Sequence, residues 1–158
     1  GLTQLHNKRY LDEFLEREVV RSQRHQRPLS VLALDIDKFK TINDSLGHLC
    51  GDFVLRELAG LIRSTVRQED LFARSGGEEF VVVLVETTRD GAELVAERIR
   101  AAVAAHPFKF ETTPISLTIS VGVACTLGQP PVTAESLRKD ADQRLYEAKR
   151  AGRNRVCS

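Results

Sequence analysis

The 158-residue chain suits one domain with a single hydrophobic core. Its hydrophobic fraction of 42% and charged fraction of 28% are ordinary for a globular protein, and the absence of an apolar run of ~18 residues excludes a membrane span. The formal net charge of +1 excludes a general electrostatic attraction to nucleic acid or to anionic lipid, so neither is expected as a partner.

The three cysteines give no sign of a metal site or a disulfide framework. Cys50, Cys125 and Cys157 are far apart, and no CxxC pair or Cys/His metal spacing is present. We therefore expect three reduced thiols in a cytoplasmic domain. Because the sequence opens at Gly1 without an initiator methionine, we also expect a C-terminal fragment of a longer sensor protein, itself either cytoplasmic or membrane-anchored.

The first part of the chain predicts a helix, a strand and a second helix. Apolar residues at helical spacing predict a helix over about Lys8 to Arg24, which Pro28 ends. The almost continuous apolar run from Leu29 to Ile36 predicts a buried strand. A second helix, with an apolar stripe of its own, is expected to follow Asp52.

A hairpin centred on glycines is expected next. The segments from Leu71 to Arg74 and from Phe80 to Val85 would form its two strands. The turn between them contains Gly76 and Gly77, which can take the positive φ angles of a tight hairpin without steric cost.

The last part of the chain predicts two helices and two strands. A third helix is expected over about Ala92 to Ala105. Clean alternation of apolar and small polar residues from Ile115 to Val123 predicts a half-buried strand. The last helix is expected over about Ala134 to Arg150, with Thr133 as its N-cap, and Val156 is expected to begin a closing strand.

This order of elements, α-β-α-β-β-α-β-α with a final β, predicts an α+β fold. We expect an α/β sandwich in which helices flank a central, mostly antiparallel sheet. The ferredoxin-like palm of nucleotide cyclases and polymerases has this architecture, but an architecture alone does not define a function.

Two aspartates at the end of the first strand are candidates for a metal site. Asp35 and Asp37 lie on one face of an extended chain, with Ile36 on the other. Two carboxylates at the end of an apolar strand repel each other and favour a cation, and oxygen ligands of this kind suit Mg²⁺. The alternative is a pair of solvated carboxylates that simply ends the strand.

Two further segments are candidates for binding metal and nucleotide. The acids Glu78 and Glu79 follow the hairpin glycines and could reach a metal, although an ordinary charged turn is the alternative. Asn43 and Asp52 have donors and acceptors that suit a purine edge, and a carboxylate pairs with the N–H groups of guanine better than with adenine. The alternative is a polar loop with Asp52 as a helix N-cap, and His48 is by itself more typical of a structural hydrogen bond.

The cationic segment from Lys149 to Arg155 follows the last predicted helix. Its lysine and arginines are candidates for a triphosphate site, because such side chains neutralise phosphate oxygens. The alternative is an interaction of these cations with the helix dipole.

Taken together and in this order, the motifs resemble the GGDEF family of bacterial diguanylate cyclases over nearly the whole chain. Five blocks support the resemblance. They are Asp35–Lys40 with Ile42–Asp44, Gly47-His48 with Gly51–Leu55, Gly76–Phe80 in the GGEEF form, Ser120–Ala124, and Ala148–Asn154. The chain departs from the family at Gln4, where glycine is usual, and this difference concerns the N-terminal hinge and the pocket edge near Leu2.

The resemblance implies a role for each matching residue. Asp35, Glu78 and the backbone carbonyl of Ile36 would bind two Mg²⁺ (or Mn²⁺) ions per active site. Glu78 or Glu79 would accept the proton of the ribose 3′-hydroxyl, and which of them does so stays open. The residues implied for the substrate are Asn43, Asp52 and His48 at guanine, and Lys40, Lys149 and Arg153 at the phosphates.

The resemblance also implies an activity and a partner. Two GTP molecules would be condensed into cyclic di-GMP with release of two pyrophosphates, and each domain would supply half of an active site in a homodimer. The product would inhibit the enzyme by binding an RxxD site formed by Arg67 and Asp70, with Arg98 as a secondary arginine. The alternative for the first two is a simple ion pair at i, i+3.

Two rival functions remain open from the sequence. One is a catalytically silent module that binds GTP or cyclic di-GMP, and the intact signature disfavours it. The other is a related nucleotidyl enzyme, such as an adenylyl cyclase or a cyclase that joins mixed nucleotides, and Asn43 with Asp52 favours guanine instead.

Overall fold

The computed structural model describes residues 5–158, so Leu2 and Gln4 lie outside the described residues. The helices are α1 (Lys8–His25), α2 (Phe39–Leu46), α3 (His48–Thr65), α4 (Arg89–Ala105) and α5 (Ala134–Arg150). The strands are β1 (Leu29–Ile36), β2 (Leu71–Arg74), β3 (Glu79–Val85), β4 (Phe108–Phe110), β5 (Thr113–Ile115), β6 (Ile119–Thr126) and β7 (Val156–Cys157).

A five-stranded sheet in the order β2-β3-β1-β6-β7 forms the centre of the domain. β1 lies in the middle and pairs antiparallel with both β3 and β6, while the short β7 runs parallel to β6. β4 and β5 form a separate two-stranded hairpin. The fold is therefore the predicted α+β palm with a mostly antiparallel sheet.

Helices cover both faces of this sheet, because β1 is apolar at every second position on each face. One core contains Leu32 and Leu34 of β1 packed with residues of α2, α3 and α4. The other contains Val31 and Ala33 packed with residues of α1 and α5. Burial on both faces explains why the β1 sequence is a continuous apolar run rather than an alternating one.

Two predicted elements differ from the observed ones. The polar stretch after β1 is helical, and Asp52 lies within the second turn of α3, so the alternative of Asp52 as an N-cap is wrong. Gly47, with φ of 89°, separates α2 from α3. The sequence pattern missed α2 because only Phe39 and Ile42 of its eight residues are buried.

The predicted strand from Ile115 to Val123 is also divided in two. Ile115 ends β5, and β6 begins at Ile119. β6 is not half-buried, because its small residues Ser120 and Gly122 are covered as completely as its apolar ones. At Gly122, a β-carbon would overlap with backbone atoms of α5, so the missing side chain allows this helix to approach the sheet closely.

The hairpin exists as predicted, but not for the predicted reason. Neither Gly76 nor Gly77 has a positive φ angle. Within residues 5–158, none of the helices combines the length and apolar character needed to cross a bilayer.

Gly122→Ala is expected to lower the free energy of unfolding by about 3 kcal/mol, because the added methyl group meets immobile backbone. Gly60→Ala is the matched control, since nothing lies within 4 Å of a β-carbon there, and it should raise stability by about 0.5 to 1 kcal/mol. Urea unfolding of both variants measures the difference, and equal stabilities would contradict the close approach of α5.

Candidate active site

An open cleft of about 550 Å³ lies between α2, the start of α3 and the turn that joins β2 to β3. Five of the predicted site residues line it: Lys40, Asn43, His48, Asp52 and Glu78. They come from three separate segments, so the fold brings together side chains whose proximity the sequence could not establish. The size of the cleft is in the range of small-molecule sites.

The glycine turn lies against the end of β1. The backbone N–H of Ile36 donates a hydrogen bond to the carbonyl of Glu78 over 3.3 Å. Asp35 is directly opposite Glu79 in the pairing of β1 with β3. The backbone of both signature acids therefore lies beside the end of β1, and the negative charges of both act on the carboxylate of Asp35.

Arg74 determines the shape of this turn. Its Nε donates to the carbonyls of Gly76 and Gly77, each over 3.0 Å, and its guanidinium contacts the Gly77 carbonyl a second time. The glycines thus present their carbonyls to an arginine at the end of β2. Sequence reasoning missed this role, although an arginine next to a glycine turn is a usable signal for it.

Asp35 has a buried carboxylate, and one of its two oxygens has no hydrogen-bond partner. Its side chain is 5% exposed, and Oδ2 contacts the ammonium group of Lys149. Oδ1 is buried and has no hydrogen-bond partner. Burial raises the pKa of Asp35 to about 6; Lys149 opposes the rise, and the negative charges of Glu78 and Glu79 add to it.

The donor set around Asp35 fits a hard divalent cation. The free Oδ1 of Asp35, the carboxylate of Glu78 and the carbonyl of Ile36 would supply oxygen ligands at this end of the sheet. Within the described residues, no group of three or more His, Cys, Asp or Glu side chains is arranged to hold a metal ion. Mg²⁺ does not need one, because it is commonly bound by one or two carboxylates together with substrate phosphates.

Asp37 has a different environment, so the two aspartates do not form a pair. It accepts hydrogen bonds from the hydroxyls of Thr118 and Ser120, each over 2.7 Å. It also accepts one from the backbone N–H of Asn154 over 3.0 Å. Asp37 therefore fastens the end of β1 to β6 and to the loop that follows α5.

Asn43 and Asp52 face the cleft from adjacent helices. The Oδ1 atom of Asn43 is buried and has no hydrogen-bond partner. It lies against Gly51 of α3, where a β-carbon would overlap with it. The glycine thus leaves room for the amide of Asn43, and Asp52 and His48 border the same cleft.

The predicted phosphate-binding cations do not share one cleft. Lys40 borders the cleft described above, and Lys149 contacts Asp35 beside a depression that also contains Glu79. Arg153 lines a separate depression of about 350 Å³ near Asp37. Only Lys40 therefore stands directly beside the predicted base-binding residues.

The two main residues of the predicted inhibitory site form an internal ion pair. Arg67 Nε and one terminal nitrogen donate to both oxygens of Asp70, over 3.2 and 3.1 Å. The same arginine donates to the carbonyl of Val85 over 2.7 Å, and Asp70 accepts from the Val85 N–H over 3.1 Å. The alternative ion pair is thus present, and it joins the loop after α3 to the end of β3. Arg98 is exposed on α4.

Comparison with known proteins identifies the family of this chain. The family described as "Diguanylate cyclase, GGDEF domain" matches residues 1–155. Diguanylate cyclase DgcP of Pseudomonas aeruginosa is 48% identical over 155 residues, which are 98% of this chain and 23% of DgcP. Further curated relatives are covered over 34% of their length, so this chain spans about a quarter to about a third of such proteins.

Solved structures of GGDEF domains have the same fold as this chain. The active GGEEF domain of a diguanylate cyclase from Vibrio cholerae has a TM-score of 0.91 at 40% identity, covering 98% of this chain and 97% of that one. The GGDEF domain of DgcB from Caulobacter crescentus, solved in complex with c-di-GMP, has a TM-score of 0.94 at 34% identity, covering 99% of this chain and 90% of that one. This chain belongs to the GGDEF-domain family of diguanylate cyclases.

Proposed function

We propose that this chain is a catalytic domain that condenses two GTP molecules into cyclic di-GMP. The observation that supports this most strongly is the position of Glu78 beside Asp35, whose buried Oδ1 has no partner in the protein. The cleft that contains Asn43 and Asp52 borders the same turn. A cation site next to a polar base site is what a nucleotidyl transfer enzyme needs.

The cation-binding residues are Asp35, Glu78 and the carbonyl of Ile36. Two divalent cations bound there would neutralise phosphate charge and make a ribose hydroxyl more acidic. Mg²⁺ and Mn²⁺ both accept such oxygen ligands.

Guanine is bound in the cleft by hydrogen bonds to Asn43 and Asp52. The carboxylate of Asp52 accepts from the N1–H and N2–H₂ groups, which adenine does not offer in this arrangement. The free Oδ1 of Asn43 needs a donor, and a buried acceptor that gains one is a source of both affinity and specificity. His48 lies at the edge of the same cleft.

The phosphates are held by Lys40, Lys149 and Arg153. Glu78 or Glu79 accepts the proton of the 3′-hydroxyl, and the oxygen then attacks the α-phosphorus of the second GTP with loss of pyrophosphate. One domain contributes a cleft for one GTP, so two domains meet face to face in a homodimer, and orientation of the two nucleotides supplies much of the rate.

Product inhibition is assigned to Arg67 and Asp70, assisted by Arg98. The side chain of Arg67 is 51% exposed despite its internal contacts, so it can also contact a ligand. The domain is further proposed to be the output part of a longer sensor protein, since it spans 23% of the length of DgcP.

Glu78→Gln should reduce cyclic di-GMP synthesis from GTP and Mg²⁺ by at least about 100-fold, since it removes a ligand that acts in the transition state. Chromatography of the products measures this, and Glu86→Gln, which alters an exposed acid paired with Arg27 over 3.5 Å, is the control. Binding of GTP without any product from the unaltered chain at high concentration would instead establish a silent module. Product from ATP at the rate for GTP would contradict the assignment to guanine.

Gly51→Ala should weaken GTP binding by about tenfold or more, because the new methyl group displaces the Asn43 amide from its position. The fold should be retained, since the overlapping atom belongs to a movable side chain and alanine favours a helix. Gly60→Ala, on the same helix and facing open space, is the control for GTP affinity by calorimetry. Unchanged affinity in Gly51→Ala would remove Asn43 from the base site.

Arg67→Ala should leave the initial rate within about twofold while raising the product concentration needed for half inhibition by at least about tenfold. Rates measured at increasing added cyclic di-GMP test this, with the exposed Arg89→Ala as control. Inhibition that persists at the original product concentration would show that Arg67 serves only the ion pair with Asp70.

A further inference from the structure

The contact between Lys149 and Asp35 is not explained by a phosphate-binding role for the lysine. Lys149 lies in the last turn of α5, and its ammonium group reaches Oδ2 of Asp35, a residue 114 positions earlier in the chain. This is the same carboxylate to which the cation site is assigned. The lysine therefore occupies part of the environment that a divalent cation would enter.

The contact follows from the cost of burying a charge. A carboxylate whose side chain is 5% exposed is destabilised unless a cation or several donors compensate it. Only one of the two oxygens of Asp35 has a partner, and that partner is Lys149. In the ligand-free chain, the ammonium group thus provides the compensation.

An ammonium group and a divalent cation oppose each other at one carboxylate. Their positive charges would lie within a few ångströms, where repulsion costs several kcal/mol at an effective dielectric constant of about 20. A divalent cation therefore binds well only if Lys149 moves away. The flexible stem allows this, because the side chain is 36% exposed and lies at the end of its helix.

A phosphate group is the partner to which Lys149 can move. We propose that Lys149 is the internal counter-cation of Asp35, that it competes with divalent cations for this carboxylate, and that nucleotide phosphate draws it away. This rests on the proposed function, and it adds that the chain binds divalent cations weakly until a phosphate-bearing ligand arrives. Linkage makes the effect reciprocal, so that cation and nucleotide each increase the affinity for the other.

The test is a titration of the 158-residue chain with Mn²⁺ in the absence of nucleotide. The paramagnetic signal of free Mn²⁺ measures how much of the ion is bound. Lys149→Gln should bind Mn²⁺ at least about tenfold more tightly than the unaltered chain, because the competing charge is gone. Lys149→Arg keeps the charge and should bind as weakly as the unaltered chain. A lysine that only holds phosphate would not change cation affinity in the absence of nucleotide.

Two controls make the result specific. Lys139→Gln removes an exposed lysine of the same helix, which pairs with Glu135 over 3.4 Å, and should leave Mn²⁺ affinity unchanged. Asp35→Asn should abolish the tighter binding of Lys149→Gln when the two changes are combined. Thermal unfolding checks that each variant is folded.

The outcomes separate this proposal from the proposed function. Equal or weaker Mn²⁺ binding by Lys149→Gln, when the unaltered chain makes cyclic di-GMP, overturns the counter-cation and leaves the cyclase assignment intact. Tight binding that survives Asp35→Asn places the cation elsewhere and overturns both the counter-cation and the cation site. Tighter binding by Lys149→Gln, when the unaltered chain makes no cyclic di-GMP, supports the counter-cation and removes the catalytic assignment alone.

Discussion

The candidate site depends on one constraint, which is the burial of the Asp35 carboxylate at the end of the central strand. β1 pairs on both sides, with β3 and with β6, so its end cannot move to expose the charge. Lys149 compensates one oxygen, and the other has no partner. The sheet thus holds a buried acceptor, Oδ1 of Asp35, that has no hydrogen-bond partner within the described residues. Buried polar groups without partners are concentrated at functional sites.

Asp37, the second aspartate, is a contrasting case, because its carboxylate accepts hydrogen bonds from several protein donors. Asp37 has three donors, from Thr118, Ser120 and the backbone of Asn154. Residues two apart share a face of an extended chain, yet these two serve different purposes, because their neighbours come from different elements. The hydrogen bonds of Asp37 connect the end of β1 to β6 and to the loop that contains Arg153. Asp35 is therefore the aspartate of this pair that has an oxygen available to a ligand.

Local sequence patterns correctly predicted the elements whose structure depends mainly on their own residues. The apolar run of β1, the hairpin and the bounds of α5 with its Thr133 cap were all predicted correctly. What the sequence could not establish depends on partners distant in the chain. The Lys149–Asp35 contact is one example, and the burial of Ser120 and Gly122 beneath α5 is another. The short α2 was missed because tertiary packing, rather than its weak apolar pattern, stabilises it.

The unpaired polar atoms connect the two halves of the site. Four buried side-chain atoms in residues 5–158 have no hydrogen-bond partner, and two of them are Oδ1 of Asp35 and Oδ1 of Asn43. The other two belong to Glu57 and Arg138, whose side chains contact His106 over 3.4 Å and Asp12 over 3.5 Å, respectively. Asp35 lies beside the glycine turn and Asn43 lines the cleft that the same turn borders, and the two acceptors lack a cation and an N–H donor, respectively. A guanine nucleotide with its divalent cation supplies both at once, which neither free phosphate nor free metal can do.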